Sequence, residues 1–276
     1  MTIPSFQSKW HSGNHIKPRI YVLEVRKRDT PDEPAIAWFL VEREVTIVRD
    51  RDNAIHSASI QISFERIESR SARMAGVSFF AGSYSRGFEG EPRVSLTSGD
   101  MGKGTVFLDP PELRGQRIGT YLMNEIVMWA QQWPAATVNA IELLAGQADD
   151  GNKARRNRFY ERFGLEFVYR DTEQREGLSR PMRVDALTPV ETWKENVLER
   201  DIRDYIGELR SHLNSVNVDI SRQEQTIKSL RSEIERAQAR PLRWALRRTL
   251  WGLYALAGPL IVILIIAAAI WSFVKT

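Results

Sequence analysis

Apolar and polar residues alternate over several stretches in the first third of the chain. The pattern covers residues 19–25, 35–48 and 57–65, which are rich in Val, Ile, Phe and Trp. Alternation predicts half-buried β-strands, because successive side chains of a strand point to opposite faces of a sheet. A further strand is predicted within 74–82. The N-terminal part is therefore predicted to build a sheet.

The hydrophobic period changes in the second third of the chain. Residues 105–109 predict a short strand, and the apolar residues between Leu122 and Trp129 then recur at near-helical spacing. An amphipathic helix is therefore predicted directly after a strand. The elements predicted beyond it are a buried strand over 137–146, a short helix ended by Gly164 and a strand over 165–170.

Residues 191–248 form a charged stretch with coiled-coil spacing, in which apolar positions recur in steps of three and four. Parallel self-association of this stretch would make the protein a homo-oligomer, either a dimer or a trimer. A helical hairpin is the alternative, because residues 214–218 are weak helix formers and Ser221 with Glu224 has capping-box spacing. The predicted seam consists of Leu198, Ile202, Tyr205, Leu209, His212, Val216, Ile220, Gln223, Ile227, Leu230, Ile234 and Ala237.

The C-terminal residues 250–274 contain no charged side chain. As a helix they would extend roughly 37 Å, which is enough to span a bilayer. Arginines crowd residues 236–248, whereas only Lys275 follows the span, so the positive-inside rule places the preceding residues in the cytoplasm. The sequence thus predicts a tail-anchored protein that contacts membrane lipid through residues 249–274. No apolar signal-peptide region begins the chain.

Charge and composition exclude several classes of protein. The net charge of +4 arises from the basic residues of 234–248, and the chain before them is nearly neutral, so no nucleic-acid partner is expected. The chain has no cysteine, and its four histidines are scattered. Disulfides, thiol nucleophiles and a metal site are therefore not expected.

The loop between the strand 105–109 and the following helix has the sequence RGQRIG at residues 114–119. A strand that turns into a helix presents unpaired backbone N–H groups at the positive end of the helix dipole. Glycines at Gly115 and Gly119 would let an anion approach the chain closely. The loop is therefore a candidate pyrophosphate-binding site.

Two segments resemble motifs of the GCN5-related N-acetyltransferase family. RGQRIG resembles the family's acetyl-CoA signature, Arg/Gln-x-x-Gly-x-Gly/Ala, although Arg117 stands where the first glycine is usual. FYERFGLEF, residues 159–167, resembles the second motif, although Asn152 lies one residue further from Tyr160 than usual. The resemblance covers residues 104–185. The fold class it implies is α/β (α+β), with a mixed, mostly antiparallel twisted sheet flanked by helices. To this fold the sequence adds the long coiled-coil helix and one transmembrane helix.

The resemblance also implies a mechanism of direct transfer from acetyl-CoA to a primary amine. The thioester would lie in a slot between the strands 105–109 and 137–144. Tyr160 would protonate the leaving thiolate, and Asp109 and Glu142 are the candidate bases. The residues implied to bind the cofactor are Leu108, Arg114, Gly115, Gln116, Arg117, Ile118, Gly119, Thr120 and Asn152.

The predicted organisation has three parts: an acetyltransferase-like domain over 1–190, a coiled-coil stalk over 191–248 and an anchor over 249–276. The predicted function is that of a membrane-anchored, acetyl-CoA-dependent N-acetyltransferase. The alternative is an inactive acyl-CoA-binding or scaffolding domain that assembles partners at the membrane. A third hypothesis is a structural membrane protein that binds no ligand, but this hypothesis does not explain the glycine loop. The sequence leaves the amine acceptor open.

Overall fold

A computed structural model of the chain describes residues 15–67, 78–87, 91–99, 113–148, 151–246, 248–250 and 271. The chain divides into two units, Met1–Ile206 and Gly207–Thr276. The strands are β1 (His15–Val25), β2 (Ala37–Arg49), β3 (Ile55–Arg66), β4 (Ser78–Ser85), β5 (Arg93–Ser95), β6 (Thr137–Val138), β7 (Glu142–Leu143), β8 (Phe167–Tyr169), β9 (Gly177–Ser179), β10 (Met182–Arg183) and β11 (Val197–Asp201). The helices are α1 (Ile118–Ala130), α2 (Lys153–Glu161) and α3 (Ile202–Ala239), with short 3-10 helices at Ala145–Gln147, Val184–Ala186 and Thr192–Glu195.

The first unit is mixed α/β and contains two sheets. The larger sheet has eight strands in the order β10-β6-β5-β4-β3-β2-β1-β11, and the smaller has three in the order β7-β9-β8. Every neighbouring pair in these sheets is antiparallel except β5 and β6, which are parallel. The helix α1 lies in the connection between these two parallel strands, as a parallel pairing requires a crossover.

Alternating side chains of the first strands explain the position of the core. In β3 the residues Ala58, Ile60, Ile62 and Phe64 are buried, while the residues between them are more exposed. These apolar side chains join one buried cluster with those of the neighbouring strands and α1. The period-2 pattern of the sequence therefore marks the face of the sheet that packs against the helix.

The predicted strand over 137–146 is divided in the structure. Its first residues form β6, which pairs with β5 and β10 in the large sheet, and its later residues form β7, which pairs with β9 in the small sheet. A single run of apolar residues cannot indicate which of two sheets each half joins. The predicted strand over 105–109 lies outside the described residues.

The stalk begins later than the sequence suggested. Residues 192–195 form a 3-10 helix, and β11 then pairs antiparallel with β1, from Val25 opposite Val197 to Tyr21 opposite Asp201. The first unit therefore extends past residue 190. From Ile202 the helix α3 runs without interruption to Ala239. The alternative of a helical hairpin inside this stretch is not observed.

The prediction of a transmembrane helix is wrong for the described part of the chain. None of the helices there is both long enough and apolar enough to cross a bilayer. The helix α1 is apolar but has 13 residues, and α3 has 38 residues but carries charged side chains along its length. Almost all of the predicted span 249–274 lies outside the described residues. This finding contradicts three predictions: the transmembrane helix of the fold class, the tail anchor and the membrane localisation.

Candidate functional site

The loop that precedes α1 has the backbone geometry of a tight turn. Gly115 has φ +87°, and the N–H of Gln116 donates to the carbonyl oxygen of Leu113 over 3.2 Å. A Cβ atom at Gly115 would meet no atom within 4 Å, so the backbone conformation alone requires glycine there. The buried side chain of Leu113 fixes the start of the turn in the core.

The first turn of α1 leaves its amides without a capping side chain. Arg117 is the N-cap residue, and its side chain makes no cap hydrogen bond. The first amide with a partner inside the helix is that of Tyr121, which donates to the Arg117 carbonyl over 2.9 Å. Within the described residues, the N–H groups of Ile118, Gly119 and Thr120 are therefore available to an anion at the positive end of the helix dipole.

Two of the loop side chains are held by neighbouring segments of the protein. Arg117 has a left-handed backbone, with φ 64°, and its Nη1 donates to the Thr192 carbonyl over 2.7 Å and to Glu195 Oε2 over 2.6 Å. The Oε1 atom of Gln116 accepts the backbone N–H of Arg28 over 2.8 Å. The contacts of Arg117 thus do not support the expectation that it adds charge for a phosphate. Arg114 is exposed and has no partner among the described residues.

A residue that the sequence analysis missed holds this loop in place. The side chain of Asn196 is fully buried, and its Nδ2 donates to the carbonyl oxygens of Arg26, over 2.9 Å, and Gln116, over 3.0 Å. No local pattern indicates this role, because its partners lie 170 and 80 residues away in the chain. Asn196 therefore connects the end of β1 to the turn before α1.

The helix α1 runs antiparallel to β5 across the sheet. Its middle faces β4, where a Cβ at Gly82 would come within 2.7 Å of Ile126 Cγ2 and 3.0 Å of the Ser95 carbonyl oxygen. Just after the helix, Trp133 stacks on Tyr84, which pairs with Val94 of β5, at 4.2 Å between ring centroids. Asn196 joins the turn before α1 to Arg26 just after β1, and β1 runs in the same direction as β5, so the N-terminus of α1 lies at the end of the sheet where β5 finishes.

The two parallel strands separate at this same end. The N–H of Asn139 donates to the Val94 carbonyl oxygen over 2.7 Å. Beyond this bond the two segments join different neighbours: the Ser98 carbonyl accepts the hydroxyl of Ser83 on β4, whereas Glu142 pairs with Leu178 on β9. The predicted slot was placed between 105–109 and 137–144, and the described residues place such a separation between β5 and 139–143.

Glu142 and Asn152, two further predicted site residues, are bound to neighbouring segments of the protein. Glu142 Oε1 accepts Nη1 of Arg170 over 3.2 Å, so the candidate base is part of an ion pair. Asn152 donates to the Gln147 carbonyl oxygen over 3.0 Å rather than toward the loop before α1. Leu108 and Asp109 lie outside the described residues.

Tyr160 lies on α2 beside the far end of the 137–143 segment. One turn earlier, Arg156 donates to the Leu144 carbonyl oxygen over 2.9 Å, which joins the helix to this end of the strand. The Tyr160 ring packs against Phe159 and Phe167, and burial raises the pKa of its hydroxyl to about 12. This hydroxyl has no hydrogen-bond partner among the described residues. It is therefore protonated at neutral pH and free to donate.

A second polar cluster, also missed from the sequence, lies under the first turn of α1. The hydroxyl of Tyr121 contacts the hydroxyl of Tyr21 and donates to Glu199 Oε1 over 2.9 Å. Arg19 forms an ion pair with the same carboxylate. Burial raises the pKa of both tyrosines well above the ordinary value. The cluster links α1 to β1 and β11, and no motif indicated it because its members are far apart in sequence.

The structure thus brings the predicted glycine loop, the uncapped amides and the separating strands to one end of the sheet, and it places Tyr160 beside the strand that leaves it. The side chains of Arg117 and Asn152 are instead bound to residues 192–195 and to Gln147. Chemically, the uncapped amides of α1 can bind a phosphate-bearing ligand, and Tyr160 is a neutral phenol that can donate a proton.

No protein-family model, no curated protein and no solved structure matches this chain. The resemblance to the GCN5-related N-acetyltransferases therefore rests on the residues quoted above and stays a prediction.

Proposed function

We propose that the first unit binds acetyl-CoA and transfers its acetyl group to a primary amine. One observation carries the proposal: the uncapped amides of α1 lie at the end of the sheet where β5 and residues 139–143 part. An amide cluster at a helix N-terminus suits a diphosphate, and a gap between strands suits the extended arm that follows it. Arg114, exposed beside these amides, would add a charge-assisted contact.

The proposed reaction is a direct attack on the thioester. The amine nitrogen forms a bond to the acetyl carbon, the C–S bond breaks, and the electron pair leaves with the CoA sulfur. Tyr160 donates its proton to this thiolate, and the proton lost by the amine passes to a base. An alkyl amine has a pKa of about 10.4, so it needs this deprotonation near neutral pH. Glu142 fills the role of base in the proposal.

A second candidate function is acyl-CoA binding without transfer. The observation that favours it is the ion pair between Glu142 and Arg170, together with the binding of Arg117 by residues 192–196. These contacts leave the backbone amides of α1 free, but they occupy the proposed base and one arginine that was expected to contact the cofactor. The two functions share the same binding site and differ in the fate of the thioester.

Binding is tested by thermal unfolding of the full chain with and without acetyl-CoA. A ligand at a hundred times its Kd stabilises the folded protein by about 2.7 kcal/mol, which is readily measured. Arg114→Ala should weaken binding roughly tenfold, because a hydrogen bond to a charged phosphate is lost. Arg155→Ala is the matched control, since Arg155 is also exposed but lies on α2. Absence of stabilisation by acetyl-CoA would contradict both candidate functions.

Transfer is tested by CoA release with a panel of amines: a small alkylamine, an aminoglycoside, a lysine peptide and a peptide with a free N-terminus. Tyr160→Phe should lower kcat by roughly tenfold to a hundredfold while leaving acetyl-CoA affinity unchanged. Binding without release of CoA from any amine would favour the non-catalytic alternative. An unchanged kcat in Tyr160→Phe would exclude the phenol as the proton donor.

A further inference from the structure

The helix α3 carries a regular seam that is apolar except at Gln223. With α3 beginning at Ile202, the steps of four and three alternate without interruption up to Ala237, whereas the seam predicted from the sequence passed through Tyr205 and His212 and was irregular near Val216. This corrected spacing is the 3.5-residue repeat of a left-handed coiled coil. The seam consists of Ile202, Ile206, Leu209, Leu213, Val216, Ile220, Gln223, Ile227, Leu230, Ile234 and Ala237.

Eight of the apolar side chains in this seam are between 39% and 56% exposed, and no residue of α3 is buried. At roughly 80 Å² of apolar surface each, they present on the order of 650 Å² per helix. The aliphatic stems of flanking Arg and Lys side chains add to this area. The sum approaches the roughly 800 Å² per partner that stable protein interfaces bury.

The residues of the seam indicate which partner covers it. The a positions are Ile at four sites and Leu at Leu213, and the d positions between Leu209 and Leu230 are Leu, Val, Gln and Leu. β-Branched residues at a with Leu at d favour two parallel strands. Gln223 is the single polar residue of the seam, and in a parallel, in-register pair it meets the same glutamine of a second copy. The two carboxamides can then donate to and accept from each other.

We infer that α3 joins two copies of this chain in a parallel, in-register, two-stranded coiled coil, with Gln223 fixing the register. The inference is independent of the proposed acetyl transfer. The flanking positions bring Asp219 of one copy beside Glu224 of the other, so association comes from the apolar seam rather than from ion pairs across it. High salt should therefore not dissociate the dimer.

Two substitutions of the same residue type separate the seam from the rest of the helix. Val216 lies at a d position, whereas Val218, two residues away and 58% exposed, lies on the opposite face. Light scattering of the full-length protein should give twice the mass of one chain, which is 31.7 kDa. Val216→Asp should raise the dimer Kd at least a hundredfold, because each dimer would bury two carboxylates. Val218→Asp should leave the mass unchanged. A monomeric or trimeric wild-type chain, or association that survives Val216→Asp, would overturn the inference.

The orientation is tested by cross-linking, for which the absence of cysteine is an advantage. Leu209→Cys introduces one thiol per chain near the start of α3. In a parallel, in-register pair the two thiols face each other and form a disulfide on mild oxidation. In an antiparallel pair with full overlap of α3 they would lie roughly 35 Å apart, at 1.5 Å per residue. A dimer that does not cross-link through this cysteine would disprove the parallel register.

Discussion

At the scale of single residues, the backbone before α1 is the most constrained part of the candidate site. Two residues there, Gly115 and Arg117, have positive φ. Glycine accepts this conformation without a steric cost, whereas for an arginine it costs roughly 1–2 kcal/mol. The bonds from Arg117 to Thr192 and Glu195 offset that cost. The arginine that departs from the family signature is therefore a residue that positions the loop.

We expect Gly115→Ala to lower the free energy of unfolding by about 1 kcal/mol, because alanine disfavours a φ of +87° even where space is open. Denaturant unfolding of the full chain measures this change. Gly146→Ala is the matched control, because a Cβ there also meets nothing within 4 Å but the backbone has no positive φ. Equal effects of the two substitutions would show that Gly115 is not required by its conformation.

At the scale of elements, the turn before α1 depends on a segment that lies far away in the chain. Residues 192–196 provide the carbonyl and carboxylate that bind Arg117, and Asn196 bridges the turn to β1. The same segment leads into β11 and then into α3. The position of the candidate binding loop is thus coupled to the edge of the sheet from which the long helix departs.

Asn196→Ala should lower the free energy of unfolding by about 2 kcal/mol, because two partly buried carbonyl oxygens lose their donor. Asn196→Asp should be at least as destabilising, since a carboxylate would face the same two carbonyls. Urea unfolding checks both values. Asn214→Ala, on the exposed surface of α3, should be close to neutral. If Asn196→Asp were as stable as the wild type, the hydrogen bonds would not be the reason for its burial.

At the scale of the whole molecule, buried tyrosines link stability to alkaline pH. Burial raises the pKa of Tyr160 to about 12, and it raises those of Tyr21 and Tyr121 further. Each phenol is neutral when protonated, and the unfolded chain releases the proton at a pKa near 10. The folded state therefore keeps its full stability below pH 10 and loses stability as the pH rises beyond it.

We expect the free energy of unfolding to be level between pH 7 and 9 and to fall above pH 10. Tyr160 alone should contribute on the order of 2 kcal/mol of this loss between pH 10 and 12. Urea unfolding at a series of pH values gives the free energy of unfolding as a function of pH. For Tyr160→Phe this free energy should fall less steeply over the same range. A variant whose curve paralleled that of the wild type would show that this phenol is not buried as described.

Local patterns in the sequence were sufficient for much of the first unit. Alternation located β1 to β3, the strand predicted within 74–82 overlaps β4, and near-helical spacing located α1, because each signal depends only on residues a few positions apart. The glycine that ends the second helix, Gly164, has the positive φ, +87°, that such an ending favours. The resemblance predicts that two strands separate beside the loop. The first of the two predicted strands, residues 105–109, lies outside the described residues.

The tertiary structure decided what depends on residues distant in sequence. The spacing of residues 197–201 predicts that they belong to the coiled coil. In the folded chain they form the edge strand β11, because they can hydrogen-bond to the backbone of β1. The tertiary structure also divided 137–143 between two sheets and bound the Arg117 side chain to a segment 75 residues away. Hydrophobic period and glycine geometry are properties of a short stretch, so the sequence by itself determined them. Strand partners and buried hydrogen bonds exist only once distant stretches meet, so only the folded chain could settle them.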